Sequence, residues 1–466
     1  MKKYLCLSLA LVLSACSAVG PNYLRPEAKV PQTFTEKGGS APLRSNWWEE
    51  FHDPALNDLV AGALDGSPDL LISQARLRQA RAVQGIQDAA SGPTVDFKSG
   101  VSRDRISKNS EILANLPIKN VTTEFTNYQV NFDASWEIDL FGHQRRLSEG
   151  ARARVEASAE QVQDAQLVLV AEVVRNYIEL RMWQHRLVLG KQNLGYYLEL
   201  VRLARLSFQA GDGTKLDVQR AESNHDNFAS TLPGLELGVR QSLAALSVLT
   251  GSGIDKLDVK LASSAQLFPV PAVPAVGLPS ELLKRRPDVR SAERELAAAS
   301  ADIGVSVAEL YPRFYLVGNA GWASVHPGSL LDSASLAWSV GPQLSFPIFN
   351  KGRLKSQVKA NEAAFDVALA SYRKSVLSAV SDVDVALSRV ARNEEKHGQL
   401  REAGKELLEI SVLTGKQMKA GEVSMVAVLE ARRNLANQED QTLQAQAQSL
   451  TAMISLYKAL GGGLVN

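Results

Sequence analysis

From Asn127 to Leu140 the side chains alternate without a fault. Tyr128, Val130, Phe132, Ala134, Trp136, Ile138 and Leu140 fall on one face, and Asn127, Gln129, Asn131, Asp133, Ser135, Glu137 and Asp139 on the other. A period of two over this length predicts a strand with one apolar and one polar face. Strands of soluble sheets usually end after about 5 to 6 residues, whereas crossing a membrane takes about 9 to 11 tilted ones, so the length favours a membrane strand. The pattern returns from Leu336 to Ile348, with Leu336, Trp338, Val340, Leu344, Phe346 and Ile348 opposite Ser339, Gln343 and Ser345. Strands are expected at 93–103, 125–140, 313–324 and 336–348.

Between the strands the period changes. Residues 143–209 hold no proline, and Leu147, Ala151, Val155, Ala159, Val162, Gln166, Leu169, Val173, Tyr177 and Leu180 recur by threes and fours. That spacing predicts one long helix, roughly 100 Å at 1.5 Å per residue. Gly211-Asp212-Gly213 ends it, and Thr214 with Asp217 predicts a capping box for a return helix reaching about Leu249. A second long helix is expected over 352–419, with Phe365, Leu369, Tyr372, Val376, Val380, Val383, Leu387 and Val390 as its stripe. A turn at Gly421 and a return helix from Ser424 to Leu460 follow. Shorter helices are expected at 55–64, from Pro68 to about Ala90, and at 286–310.

The two parts of the chain echo each other. At a constant offset of 219, Pro68/Pro287, Asp69/Asp288, Leu77/Leu296, Ala80/Ala299, Ala82/Ala301, Gly85/Gly304, Ala89/Ala308 and Pro93/Pro312 are identical without a gap. Ala210-Gly211-Asp212 pairs likewise with Ala420-Gly421-Glu422. The sequence reads as an internal duplication. Its expected division is a signal peptide at 1–15, a lipidated extended tether at 16–54, a first repeat at 55–250, a Gly/Pro-rich equatorial connection at 251–279 and a second repeat at 280–466. Pro21, Pro26, Pro31 and Pro42 make the tether extended rather than packed.

Lys2-Lys3, the apolar run from Tyr4 to Leu13 and the small residues before Cys16 predict a secretory signal. Leu13-Ser14-Ala15-Cys16 resembles the bacterial lipobox, whose cysteine is lipidated; Ser17 resembles the outer-membrane sorting pattern. Cys6 leaves with the signal, so no internal disulfide is possible. Beyond the signal no run of about 18 apolar residues exists, so any membrane crossing falls to strands. Basic and acidic residues number 51 and 50, and this balance offers no footprint for nucleic acid.

Enzyme chemistry finds no support. The histidines at 52, 143, 185, 225, 326 and 397 lack ligand spacing, so neither a metal nor a cofactor is expected. Ser371-Tyr372-Arg373-Lys374 fits S-x-x-K but lies mid-helix without companion motifs. No phosphate loop is present, so energy must come from a partner.

Four strands cannot close a barrel, and an open edge in lipid leaves backbone groups unsatisfied, so several copies must associate. The chain resembles the TolC-like outer-membrane factors of tripartite efflux systems, in the lipoprotein OprM/NodT branch, over essentially its full length. The residues that carry the resemblance are Gly20-Pro21-Asn22-Tyr23-Leu24-Arg25-Pro26, Trp47-Trp48 with Phe51, Asp53-Pro54-Ala55-Leu56, Trp136 to Gly142, Leu282 to Val289 and Leu456 to Gly463. It implies a mainly α fold with a membrane β part: a homotrimer with a 12-stranded barrel continued by a periplasmic α-helical barrel, anchored in the outer membrane.

The implied function is the exit duct for drugs or other small molecules. Its implied partners are a periplasmic adaptor and an inner-membrane pump of the resistance-nodulation-division type. An exit duct for secreted polypeptides and a periplasmic adaptor lipoprotein are the alternatives; an adaptor would show one helical hairpin, and this chain shows two. Carried over from Gly421, the family's gate falls on Val426, Glu430 and Arg433. Asp is usual at Glu430 and an aromatic at Met418. Asp217 and Arg220 on the other return helix are further gate candidates, Gly211, Gly213 and Gly421 mark the tips that contact the adaptor, and Cys16 carries the lipid.

Overall fold

The computed structural model describes residues 18–28, 30–36, 38–107, 122–262 and 267–462. Cys16 lies outside them. The elements run α1 (Pro54–Gly66), α2 (Pro68–Ala90), β1 (Thr94–Arg105), β2 (Glu124–Ile138), α3 (His143–Ala210), α4 (Lys215–Ala229), α5 (Leu232–Thr250), α6 (Ile254–Leu261), α7 (Pro279–Arg285), α8 (Pro287–Ala308), β3 (Arg313–Ser324), β4 (Leu336–Ser345), α9 (Arg353–Lys419) and α10 (Met425–Ala459). Among the described residues no helix is long and apolar enough to cross a membrane. The described residues fall into two compact units, one within 1–26, 78–157 and 293–371, the other within 27–77, 158–292 and 372–466.

The first unit holds the sheet. Its order is β1-β2-β3-β4, each pair antiparallel, so β1 and β4 are open edges within the chain. β2 ends at Ile138 rather than at 140, because Leu140 N–H turns back onto the Ile138 carbonyl at 2.9 Å and Gly142 follows at φ +84°. Residues 18–26 are extended, as Pro21 and Pro26 dictate, but they are packed rather than free. Val19 N–H bonds to the Phe141 carbonyl, and Gly20, at φ +86°, approaches Gly304 so closely that a Cβ would come within 2.6 Å of its Cα. Arg146, almost fully buried, closes this strap by donating to the carbonyls of Val19 and Gly20 and to Asn22 Oδ1. Tyr23 OH donates to Glu293, which also pairs with Arg294.

The second unit holds the main core, built from α1, α3, α5, α6, α9 and α10. Trp47 stacks on Tyr457 at 4.8 Å and Phe51 meets Phe268 edge-on. Asp53 caps α1 through Ala55 N–H and accepts from Tyr177 OH at 2.6 Å. Burial first, and then the Asp53 carboxylate, raise the Tyr177 pKa, so the phenol stays a donor. Arg286 ties the chain's end in by donating to Asp288, Asp382 and the Ala459 carbonyl.

Two helical expectations are corrected here. The return helix after Thr214 is broken at Ser230-Thr231: Pro233 lacks an N–H and its ring disfavours a helical turn before it, so α4 ends and α5 begins with Pro233 in its first turn. The connection over 251–279 contains α6, whose Leu257 and Leu261 are buried at helical spacing.

Candidate functional site

The cross-strand register settles which side chains share a face of the sheet. Phe97, Phe132, Ala320 and Trp338 form one row; Ser99, Val130, Trp322 and Leu336 the next; Val95, Ala134, Gly318 and Val340 another. Toward the helices the same face continues through Trp136, Leu316 and Pro342 to Ile138, Phe314 and Leu344. Val95, Phe97, Phe132, Trp136, Trp338, Val340 and Leu344 are all exposed. The alternation seen in β2 alone therefore holds across all four strands.

The opposite face is polar. Lys98 pairs with Asp133 at 2.9 Å, in a layer with Asp96, and Ser339 Oγ donates to Asn319 at 2.9 Å. At its helix end Arg313 grips Glu137, with Nε to Oε1 at 3.0 Å and a second contact through NH2, while Gln144 donates to Glu137 Oε2 at 3.1 Å. His143 stands 4.0 Å from Glu137; burial first, and then Arg313, lower its pKa. No local pattern announces this cluster, because Glu137 and Arg313 stand 176 residues apart.

The two helix reversals share one backbone design. Asp212 N–H bonds to the Ser207 carbonyl at 3.0 Å and Glu422 N–H to the Gln417 carbonyl at 2.9 Å, the six-to-one closure of a Schellman turn. Gly211 at φ +86° and Gly421 at φ +81° occupy its left-handed position, which a Cβ would strain. A Cβ on Gly213 would fall 2.8 Å from Ser207 Oγ. Thr214 and Asp217 complete the expected capping box, and the hydrogen bond from Thr214 lowers the Asp217 pKa. Ser424 caps α10 by accepting from Ala427 N–H. Arg433, 12 residues after Gly421, lies over the ring of Tyr197, 14 residues before Gly211; Asn193 donates to Asn437 and Arg186 grips Asp440 with two nitrogens. These like-spaced contacts put both reversals at the same end of the second unit.

Val426 and Glu430 are exposed on α10 and Arg433 is half-buried. Arg433 meets Tyr197 of α3, itself stacked on Phe228 at 5.0 Å, and no ion pair joins it to Glu430 among the described residues. Arg220 is exposed on α4 and helps to hold the Asp217 pKa down. Nothing local marks Tyr197, which sits among other apolar positions of α3; only its partner, distant in sequence, does.

A four-stranded, one-sidedly apolar sheet feeding two long helical hairpins defines a membrane-channel class of protein. The chain belongs to the outer membrane efflux protein family, whose sequence model matches residues 59–252 and 278–462. It is 33% identical, over 97% of its length and 96% of the relative's, to the solvent efflux pump outer membrane protein SrpC of Pseudomonas putida. It is 30% identical to nodulation protein T of Rhizobium leguminosarum bv. viciae, covering 98% and 92% of the two chains. Among solved structures it is similar to the outer-membrane channel OprN, with a TM-score of 0.85, 32% identity and coverage of 96% and 99%. The family is one of channels rather than enzymes, and its place is the outer membrane.

Proposed function

We propose that the chain is the exit duct of a tripartite efflux system and works as a homotrimer. The observation that carries this is the sheet: an exposed apolar face with two open edges, β1 and β4. Three copies pairing β1 of one chain with β4 of the next close twelve strands and leave no edge in lipid. The belt from Tyr128 to Ile138 spans ten steps of about 3.4 Å, which at a tilt of about 45° gives roughly 25 Å, the height of an outer-membrane apolar band. The polar face then lines a wet lumen, and α3 to α5, α9 and α10 form the walls of a periplasmic tunnel. The echoes between 55–250 and 280–466, with the matching turns at Gly211 and Gly421, support an internal duplication as the source of the two hairpins.

In this reading Cys16 carries the lipid, and the reversals at Gly211, Gly213 and Gly421 face a periplasmic adaptor and an inner-membrane pump of the resistance-nodulation-division type. Solvents and antibiotics, the cargo in the names of relatives such as SrpC and the antibiotic efflux protein ArpC of Pseudomonas putida, are the class of small molecule to test first. The gate is formed by Val426, Glu430 and Arg433: three carboxylates converge on one axis, repel each other and favour cations, while Arg433 on Tyr197 ties α10 to α3 and holds the closed state. The test is conductance in planar bilayers. Glu430→Ala with Arg433→Ala should raise closed-state conductance and make cells leakier to large antibiotics; an unchanged conductance would move the gate to Asp217 and Arg220.

A further inference from the structure

At the sheet's far end, away from the helices, the apolar face changes character within one turn of the register. Val101 opposes Tyr128, then Arg103 opposes Thr126, then Arg105 opposes Glu124. Odd-numbered residues of β1 share the face of Val95 and Phe97, so both arginines point to the apolar side, just above the ring of Tyr128 and Trp322. Glu124 is shared between them at 3.5 and 3.4 Å. Their side chains are 76% and 74% exposed. Exposed pairs at such distances contribute little, and one carboxylate leaves a surplus positive charge. The opposite end of the same face carries no such cation: it finishes on Trp136, Ile138, Phe314 and Leu344.

This asymmetry is chemical. In the proposed barrel the aromatic residues lie where hydrocarbon gives way to head groups, so Arg103 and Arg105 stand at head-group level on the lipid side of the cell-exterior end. A guanidinium fork fits a phosphate through two parallel N–H donors. We infer that Arg103 and Arg105 form a lipid-facing clamp for a phosphate-bearing lipid head group of the outer leaflet. Glu124 splays the two forks and limits their charge, so the clamp takes a head group presented by a lipid whose tails lie along Val101, Val95 and Phe97. The inference rests on the barrel reading above.

The test uses the full chain, purified and reconstituted into phosphatidylethanolamine vesicles doped with bisphosphorylated lipid A. Lipid retained per chain is counted after re-extraction in detergent. Arg103→Gln with Arg105→Gln should retain lipid A roughly thirtyfold more weakly, taking each arginine at the strength of a juxtamembrane basic residue. Arg103→Lys with Arg105→Lys should recover part of that loss. Dephosphorylated lipid A should bind wild type and double variant alike, and millimolar inorganic phosphate should not displace the bisphosphorylated lipid. Equal retention by wild type and the glutamine variant would overturn the clamp, as would displacement by free phosphate. Heat-resistant oligomers and protease protection in vesicles are scored alongside: both proteins should show them, and a wild type without them would fault the barrel instead.

Discussion

Trp47 and Trp338 are the same residue in opposite solvents. Trp47 is 1% exposed, stacked on Tyr457 in the second unit's core, whereas Trp338 is 70% exposed on β4. In the helical unit the large core side chains, Trp47, Tyr177 and Tyr457 among them, are packed inward. In the sheet the apolar rows are presented outward, while Lys98, Asp133, Glu137 and Arg313 pair on the other face. One chain thus follows two burial rules, as the proposed barrel requires: water around the helices and hydrocarbon around the strands.

The comparison can be broken in three places. The largest effect is expected in the core: Trp47→Ala should cost about 3 to 5 kcal/mol of helical stability, read by circular dichroism in a denaturant titration, whereas Trp338→Ala should shift that curve by no more than about 0.5 kcal/mol. Equal shifts would mean that Trp338 has a protein partner. Next, Phe132→Arg places a charge on the apolar face at an expected cost of about 2 to 4 kcal/mol and should abolish recovery of heat-resistant oligomer from outer-membrane fractions. Asp133→Asn on the neighbouring polar face should leave recovery intact, and equal tolerance would mean the faces are reversed.

The smallest effect concerns His143, below the strands. Its pKa lies under the unfolded 6.5, so the unfolded chain binds more protons than the folded one as pH falls through that region. The stability this group contributes is full above pH 6.5 and is lost on acidification. The difference between wild type and His143→Gln should therefore shrink as pH drops from 7 to 5 in parallel thermal melts; a difference that grows would mean the imidazole is charged in the folded state.

Where one element carries its own pattern, the sequence was legible. The two-faced strands, the long proline-free helices and the capping box at Thr214 each depend on residues within a few positions of one another, and they stand where alternation, period and spacing put them, except that β4 stops at Ser345 rather than 348, short of Pro347. The expected return helix from Thr214 to about Leu249 rested on its capping box alone; the break inside it follows from the effect of the Pro233 ring on the preceding backbone. The Glu137, Arg313 and His143 cluster and the Arg433 to Tyr197 contact were invisible for a different reason. Their partners are brought together only by strand pairing and by the side-by-side packing of α3 and α10, and single residues of these types are unremarkable until that happens. The gate positions came from resemblance, and the geometry adds to them the aromatic seat on which Arg433 rests.

The open edges of β1 and β4 also have a genetic consequence. In the proposed trimer every chain must offer both edges to its neighbours, so the ring is only as sound as its worst member. Where a cell makes normal and edge-defective chains in equal amounts and they mix at random, roughly one ring of three in eight would be free of the defect. A lesion confined to either edge strand should therefore behave as dominant over the normal allele, whereas a lesion that prevents the chain from folding at all removes it from the pool and should be recessive.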